Sequence, residues 1–168
     1  IAYNPNRALV ELLAKLRDTT GKIAVPGFYD DVRPFSEEER KLIAFTFDAG
    51  RYTEAFGAKP TGGEKGYSPL EANWLRPTLE INGINGGYSG DGFKTVIPAK
   101  AKAKLSCRLV PDQDPQKIGK LVADFLRKNA PEGIQVEVDV HKGGGSSMRT
   151  SPRSAIIKAA SKAYEEVF

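Results

Sequence analysis

The chain has little of the chemistry that most active sites use. Its 168 residues include one cysteine, Cys107, and one histidine, His141. A single cysteine excludes an internal disulfide. A single histidine, with no GxSxG elbow for it to serve, argues against a Ser-His-Asp triad and leaves a two-metal hydrolase site short of ligands. We therefore expect no catalysis from this chain alone.

Other signatures are missing as well. No apolar run is long enough to span a bilayer, and no signal-peptide pattern is present, so we expect a cytoplasmic protein with no membrane partner. The glycine-rich stretch matches neither GxxxxGK[ST] nor GxGxxG, which argues against a phosphate loop. The chain has no starting methionine and begins at IAYNPNR, which suggests a fragment or excised domain.

The composition is that of a globular protein of mildly basic charge. Hydrophobic residues make up 40% and charged residues 27%, and 25 Lys and Arg against 21 Asp and Glu give a net charge of +4. That balance does not by itself predict nucleic-acid binding, which usually needs denser basic clusters. The length predicts one domain over residues 1–168.

Residues 76–115 predict a strand, a glycine-rich loop and a second strand. Leu79 and Ile81 alternate with polar neighbours before the loop, which is typical of a half-buried strand. After Pro98, small apolar residues alternate with basic ones, which predicts a strand with one apolar and one basic face. The basic face carries Lys100, Lys102, Lys104 and Arg108.

Helix-start signals and one further alternating segment complete the predicted order. Asn4-Pro5, Asp114-Pro115 and Ser151-Pro152 each combine a capping residue with proline at the first helical position. Ser36 with Glu39 forms a capping box, followed by Leu42. Residues 134–140 alternate Ile and Val with polar residues, which predicts another strand.

This order predicts an α+β fold, a two-layer sandwich whose antiparallel sheet has helices on one face. Residues 21–75 form a helical insertion, and residues 152–168 form a last helix. A ferredoxin-like βαββαβ unit would need one more strand before the first helix, and that strand is absent from this chain. The open sheet edge that results invites pairing with another chain.

Few side chains stand out for binding when the residues are considered alone. Arg108 lies on the polar phase of its strand, where it could hold a carboxylate with two N–H groups or simply be solvated. Thr95 follows the glycine-rich loop, and the return of loop and strand could bring it to the same end of the sheet as Arg108. His141 ends its strand, where a surface histidine is the simpler interpretation. Cys107 is on the apolar phase and is interpreted as a buried structural thiol.

The phrases GFKTVIP and CRLVPDQDP, in residues 92–115, resemble the lid or dimerisation domain of the carnosinase, carboxypeptidase-G and aminoacylase family of metallopeptidases, most closely its dipeptidase branch. NPNRALVELLAKL and KIAVPGFYDDV are similar to the family's segment near the start of the lid. The resemblance implies a parent enzyme that hydrolyses peptide or acyl-amide bonds with two zinc or manganese ions. It also implies that a carboxylate outside this chain activates the bridging water.

The resemblance also implies roles for particular residues and partners. Thr95 would hydrogen-bond substrate, Arg108 would hold its terminal carboxylate and His141 would lie near that group. The lid would form a homodimer, through its sheet edge, a helix or both, and would lend some residues to the partner's site. Catalytic residues and metal ligands would lie outside residues 1–168. Glu37 to Glu39 are a solvated helix start, not the catalytic carboxylates.

A second hypothesis comes from another class of protein. A stand-alone binding module could use the basic face of Lys100, Lys102, Lys104 and Arg108 for an anionic ligand such as nucleic acid. No aromatic residue interleaves that face, as stacking on bases would require. We therefore prefer the lid interpretation and expect peptide substrate in the parent enzyme, with no nucleic acid.

Overall fold

The computed structural model describes residues 2–41 and 45–167. Its helices are α1 (Pro5–Ala14), α2 (Glu37–Lys41), α3 (Ala49–Phe56), α4 (Pro69–Trp74), α5 (Pro115–Lys128) and α6 (Ala155–Val167). Its strands are β1 (Thr78–Gly86) and β2 (Ala101–Arg108), which form one antiparallel two-stranded sheet. The observed order agrees with the predicted α+β class.

The first helix begins as predicted. The Asn4 side chain accepts a hydrogen bond from the Asn6 amide at 2.9 Å, and Pro5 occupies the first helical position. The helix ends at Ala14. Gly21 lies in a later turn, with φ of +81°, where an L side chain would be strained.

The predicted capping box at the start of α2 is present. The Ser36 amide donates to Glu39 Oε2 at 2.9 Å, and the Glu39 amide donates to Ser36 Oγ at 3.2 Å. The predicted continuation of this helix through Leu42 lies outside the described residues. The helix α3, which the sequence analysis missed, is capped by Asp48 and ends at Gly57 in the left-handed conformation.

The hairpin pairs Thr78 with Arg108 at one end and Gly86 with Ala101 at the other. A β-bulge shifts the register between Ile81 and Gly83. Because the bulge absorbs the extra residue, β1 continues past it to Gly86. The two alternating segments are therefore neighbours in one sheet, as predicted.

The prediction of a third strand over residues 134–140 is wrong, because the structure pairs this segment with no strand among the described residues. Residues 134–140 belong to no strand of the sheet, although their exposure alternates as a strand's would. Val136 and Val138 still pack against the core. The physical reason is that a ladder needs a neighbouring strand, and no described residue pairs with this segment.

The core lies between the sheet and helices α1 and α5. Its buried residues come from both helices, from β1 and from the chain between α1 and α2; they are Leu12, Leu13, Leu16, Ile23, Val25, Phe28, Leu79, Ile118, Val122 and Leu126. By contrast, α6 buries none of its residues. No helix within residues 2–41 and 45–167 is both long and apolar enough to cross a membrane.

Candidate functional site

Arg108 is the last residue of β2 and its side chain is exposed. It lies opposite Thr78, on the same face of the sheet as the exposed Lys102 and Lys104. Within the described part of the chain, no hydrogen bond or ion pair to its guanidinium is found. The two N–H edges of the group are therefore available to a planar anion such as a carboxylate.

A buried glutamine fixes the chain just beyond Arg108. Gln113 Nε2 donates to the carbonyl oxygen of Phe28 at 2.7 Å, and Gln113 Oε1 accepts from the Val110 amide at 3.1 Å. The side chain is only 5% exposed, so these bonds are shielded from water. They tie the end of β2 to the core, and sequence reasoning missed them because nothing in the pattern marks Gln113 as buried.

His141 follows segment 134–140 and is exposed. Val140 lies against α5, since a Cβ atom placed on Gly119 would be 2.6 Å from Val140 Cγ1. Gly144 lies against Pro115, the first residue of α5, in the same way. His141 is therefore near the first turns of α5. That is the end of the molecule where β2 finishes, so the structure brings His141 and Arg108 to the same end.

Thr95 lies in the loop that joins β1 to β2, beyond the paired residues Gly86 and Ala101. Contacts inside this loop keep it at that end: Tyr88 donates to the Asp91 carbonyl oxygen at 2.8 Å, and Lys94 Nζ lies 4.4 Å from the centre of the Tyr88 ring. The eight residues of β2 separate the two ends by about 24 Å. The structure therefore does not bring Thr95 and Arg108 to one end of the sheet.

An ion pair anchors the glycine-containing segment that follows His141. Arg149 pairs with Glu39 at the start of α2, and its guanidinium carbon lies 4.0 Å from the centre of the Phe35 ring. The Ser36 amide first, and then Arg149, lower the pKa of Glu39 to about 2. This pair links residues 142–153 to α2, which sequence reasoning did not anticipate.

Cys107 is not placed as a nucleophile. It is half-buried in β2 and makes no disulfide. Burial, with a smaller effect from the nearby charge of Glu80, raises the pKa of the Cys107 thiol to about 11. The thiol is therefore protonated at neutral pH, and only the thiolate is an effective nucleophile or metal ligand.

The described residues do not fit a two-metal centre. Across residues 2–41 and 45–167, His, Cys, Asp and Glu side chains do not gather in any group of three or more that could hold a metal ion. We assign no metal-bound step to side chains of this chain. Its exposed groups that could bind a substrate are the guanidinium of Arg108, the imidazole of His141 and, at the opposite end of the sheet, the hydroxyl of Thr95.

A family model matches residues 1–134, and it describes the peptidase dimerisation domain of the M20 peptidases. The chain belongs to that family, which confirms the resemblance inferred from the phrases GFKTVIP and CRLVPDQDP. The match defines the class of domain, and the individual relatives indicate which branch of the family it is most similar to.

The chain is similar to the Cys-Gly metallodipeptidase DUG1 of Candida albicans, with 33% identity over 174 residues, covering 100% of this chain and 35% of that protein. Among solved structures, it resembles the M20 family metallo-carboxypeptidase Sso-CP2 from Sulfolobus solfataricus, with a TM-score of 0.85 and 37% identity over 99% of this chain and 43% of that one. It also resembles the di-peptidase Dug1p from Saccharomyces cerevisiae, with a TM-score of 0.77 and 32% identity over 99% and 36%. The chain thus spans less than half the length of each of these proteins.

Proposed function

We propose that this chain is the non-catalytic dimerisation and lid domain of a larger metal-dependent, dipeptidase-like hydrolase. In this proposal it supplies substrate-binding residues to an active site whose metal ligands lie elsewhere in the parent protein. The observation that supports it most directly is the exposed guanidinium of Arg108, which no described residue pairs with, at the same end of the sheet as His141. Membership of the peptidase dimerisation domain family supports it independently.

Arg108 is proposed to hold the terminal carboxylate of a peptide substrate. A guanidinium can form two parallel N–H···O bonds with a carboxylate, which fixes the plane of the substrate as well as its position. The Gln113 bonds just beyond the strand hold the backbone from which Arg108 projects. His141 is proposed to lie beside the same carboxylate, as a further hydrogen-bond donor.

The parent enzyme is proposed to hold two divalent metal ions, zinc or manganese. When bound there, they would polarise the scissile carbonyl and supply a hydroxide at neutral pH. The residues of this chain would orient the peptide and help to exclude water around it. The cytoplasmic location inferred from the sequence stays a prediction.

The proposed homodimer assigns Thr95 to a different active site from Arg108. A dipeptide spans only about 7 Å when extended, whereas β2 separates the two residues by about 24 Å. One bound substrate therefore cannot contact both residues of the same subunit. We propose that Thr95 hydrogen-bonds the substrate in the partner's site, while Arg108 and His141 bind the substrate in the site of their own subunit.

The carboxylate role can be tested in the full-length enzyme with a dipeptide and its C-terminal amide. Arg108→Ala is expected to lower kcat/KM for the free acid by about 10- to 100-fold, the value of a lost charge-assisted hydrogen bond, and to change little for the amide. Lys104→Ala, on the same exposed face, is the matched control and should leave both values unchanged. Equal losses for acid and amide would contradict the proposed contact.

The assignment of Thr95 can be tested with mixed dimers. Subunits carrying Thr95→Ala are refolded with an equal amount of subunits carrying Arg108→Ala. If the residues serve different sites, each heterodimer has one intact site, and the mixture recovers about a quarter of wild-type activity under random pairing. If both residues act in one subunit's own site, the mixture shows no more than the average of the two variants.

The alternative, a module that binds an anionic ligand, stays a prediction. The observation that favours it is the exposure of Lys102, Lys104 and Arg108 on one face of β2. Binding of a fluorescent single-stranded oligonucleotide that weakens steeply with salt would support it, because phosphate contacts release counterions. Dipeptidase activity that needs Arg108 would instead support the lid function.

A further inference from the structure

The loop that joins β1 to β2 is fixed where it leaves the sheet. The Asn6 side chain, near the start of α1, lies against the backbone of Gly86 and Gly87. At Gly87, which has φ of +78°, a Cβ atom would be only 2.9 Å from Asn6 Nδ2. Glycine is therefore needed there both for the backbone conformation and for the close approach of Asn6. The chain enters the loop in a direction that α1 helps to set.

Tyr88 then closes the first part of the loop on itself. Its hydroxyl donates to the Asp91 carbonyl oxygen at 2.8 Å. Its ring lies on the backbone of Gly90, where a Cβ atom would be 2.6 Å from the hydroxyl oxygen and 2.8 Å from Cζ. The ammonium group of Lys94 lies 4.4 Å from the centre of the same ring, within the range of a cation–π contact. The Tyr88 side chain thus joins three points of the loop.

Thr95 is the central residue of a three-residue turn. The Val96 amide donates to the Lys94 carbonyl oxygen at 3.0 Å, which is the hydrogen bond of a γ-turn. Lys94 is therefore both the first residue of this turn and the cation on the Tyr88 ring. Thr95 itself is exposed. The contacts of Tyr88 lead directly to the residue that the turn presents to solvent.

The hydrophobic core does not order this part of the loop. Phe93 is fully exposed, and Val96 and Ile97 are more than half exposed. A loop residue that became ordered only when substrate binds would lose conformational entropy at that moment, and the affinity would fall accordingly. Contacts that order the loop beforehand remove this cost. Among the described residues, the side-chain contacts available for that purpose are those of Tyr88.

We propose that Tyr88, with Lys94 on its ring, is a positioning residue that holds Thr95 ready to bind substrate. Neither side chain touches the substrate in this proposal, and both act through the turn at Thr95. The proposal deepens the proposed function and rests on it, because the contact between Thr95 and substrate is proposed there.

The kinetic test uses the full-length enzyme and a dipeptide that it hydrolyses. Tyr88→Leu, which removes both the ring and the hydroxyl, is expected to lower kcat/KM about tenfold, mainly through a higher KM. Tyr88→Phe keeps the ring and should lose only about two- to fivefold. Lys94→Met should also lose about two- to fivefold, and Lys94→Arg, which keeps a cation over the ring, should restore the activity. Lys100→Met makes the same change of charge in the same connection and, as the control, should leave kcat/KM unchanged.

Double variants separate positioning from a direct contact. In a Thr95→Ala background, Tyr88→Leu should change kcat/KM by less than about twofold, because its effect passes through Thr95. In a Tyr88→Leu background, Lys94→Met should have no further effect. A full loss in the Thr95→Ala background would overturn the proposal. A loss from Lys94→Met that persists without the ring would also overturn it, and would show that Lys94 itself contacts substrate.

A measurement without substrate distinguishes this proposal from the proposed function. Backbone ¹⁵N order parameters are measured on the 168-residue chain, and we expect values of about 0.85 for residues 92–96, falling below about 0.6 in Tyr88→Leu. Order parameters that Tyr88→Leu leaves unchanged would overturn the positioning role, even if Thr95→Ala impairs the enzyme. Lowered order parameters together with wild-type kcat/KM in Thr95→Ala would instead contradict the proposed contact between Thr95 and substrate.

Discussion

The guanidinium of Arg76 binds the carboxylate of Glu64 through two hydrogen bonds, from Nε at 2.6 Å and from Nη2 at 3.0 Å. The rings of Tyr29 and Tyr67 lie on it, each with its centre 4.7 Å from the guanidinium carbon. Arg76 stands just before β1, whereas Glu64 and Tyr67 lie between α3 and α4. This cluster therefore fastens the segment between α3 and α4 to the start of the sheet.

Breaking this pair should destabilise the domain. In Arg76→Ala the Glu64 carboxylate, which is 9% exposed, would remain buried without its partner, and such losses typically cost about 3–5 kcal/mol. Arg76→Lys should cost less, since it keeps the charge but not the two-pronged geometry. Urea denaturation measures both. Arg51→Ala, which removes an exposed pair with Asp48, is the control and should cost under about 0.5 kcal/mol.

Acid should weaken the anchor between Arg149 and Glu39. The bonds from Ser36 and Arg149 lower the pKa of Glu39 from 4.5 to about 2 in the folded protein. A depressed pKa contributes stability above the unfolded value, and that contribution is lost as pH falls from about 4.5 towards 2. We expect Glu39→Gln to flatten the dependence of unfolding free energy on pH across this window. A slope that Glu39→Gln leaves unchanged would show that the assignment to Glu39 is wrong.

The parts of the fold that could be predicted are those with local signals. Asn4 and Asp114 accept the capping bonds that their positions before proline predicted. The apolar phase of β2 is its half-buried side, as predicted. The alternation of residues 134–140 predicted their alternating exposure correctly, but not the absence of pairing in the described chain, because a ladder depends on a neighbour that periodicity within the segment does not reveal.

The exposure of individual residues of the candidate site could be predicted from the sequence, but their arrangement in space could not. The phase of β2 predicted an exposed Arg108, as observed. The ends of the sheet at which Thr95 and His141 lie depend on the loop after Gly86 and on the packing of Val140 against Gly119, and neither leaves a periodic signal. The buried bonds of Gln113 were equally hidden, since its sequence position reads as part of a surface turn.

Self-association through the outer edge of β1 should depend on two exposed isoleucines. Ile81 is 46% and Ile84 60% exposed beside an edge that pairs with no strand in the described residues. If the proposed homodimer uses this edge, Ile84→Lys should raise the dimer dissociation constant by about 10- to 100-fold, the value of burying one such side chain. Sedimentation velocity measures the change. Val10→Lys, at a similarly exposed site on α1, should have no effect.

A helix-mediated dimer predicts a different pattern. The apolar side of α6 is also uncovered in this chain, and Ile156 is exposed. In that case Ile156→Lys, and not Ile84→Lys, should shift the equilibrium towards monomer. Sensitivity to both substitutions would indicate that the edge and the helix act together, and insensitivity to both would contradict each proposed interface.

The contact between Gly119 and Val140 should couple helix stability to the position of His141. Gly119 lies within α5, where alanine would usually stabilise by about 1 kcal/mol. A Cβ atom there would be 2.6 Å from Val140 Cγ1, so Gly119→Ala should gain little or lose stability, because it displaces the segment that carries His141. In a Val140→Ala background the space opens, and the same change should stabilise by about 1 kcal/mol.

A double-mutant cycle measured by urea denaturation gives the coupling directly, and we expect about 1 kcal/mol or more between the two positions. In the full-length enzyme, Gly119→Ala should also lower kcat/KM for a dipeptide, and the double variant should recover part of that loss if the effect comes from the displaced segment. If the changes in unfolding free energy caused by the two substitutions simply add, Val140 does not restrict the space at position 119 of α5. If the two substitutions are coupled in stability but kcat/KM is unchanged, the packing contact is supported and the proposed role of His141 in the substrate site is contradicted.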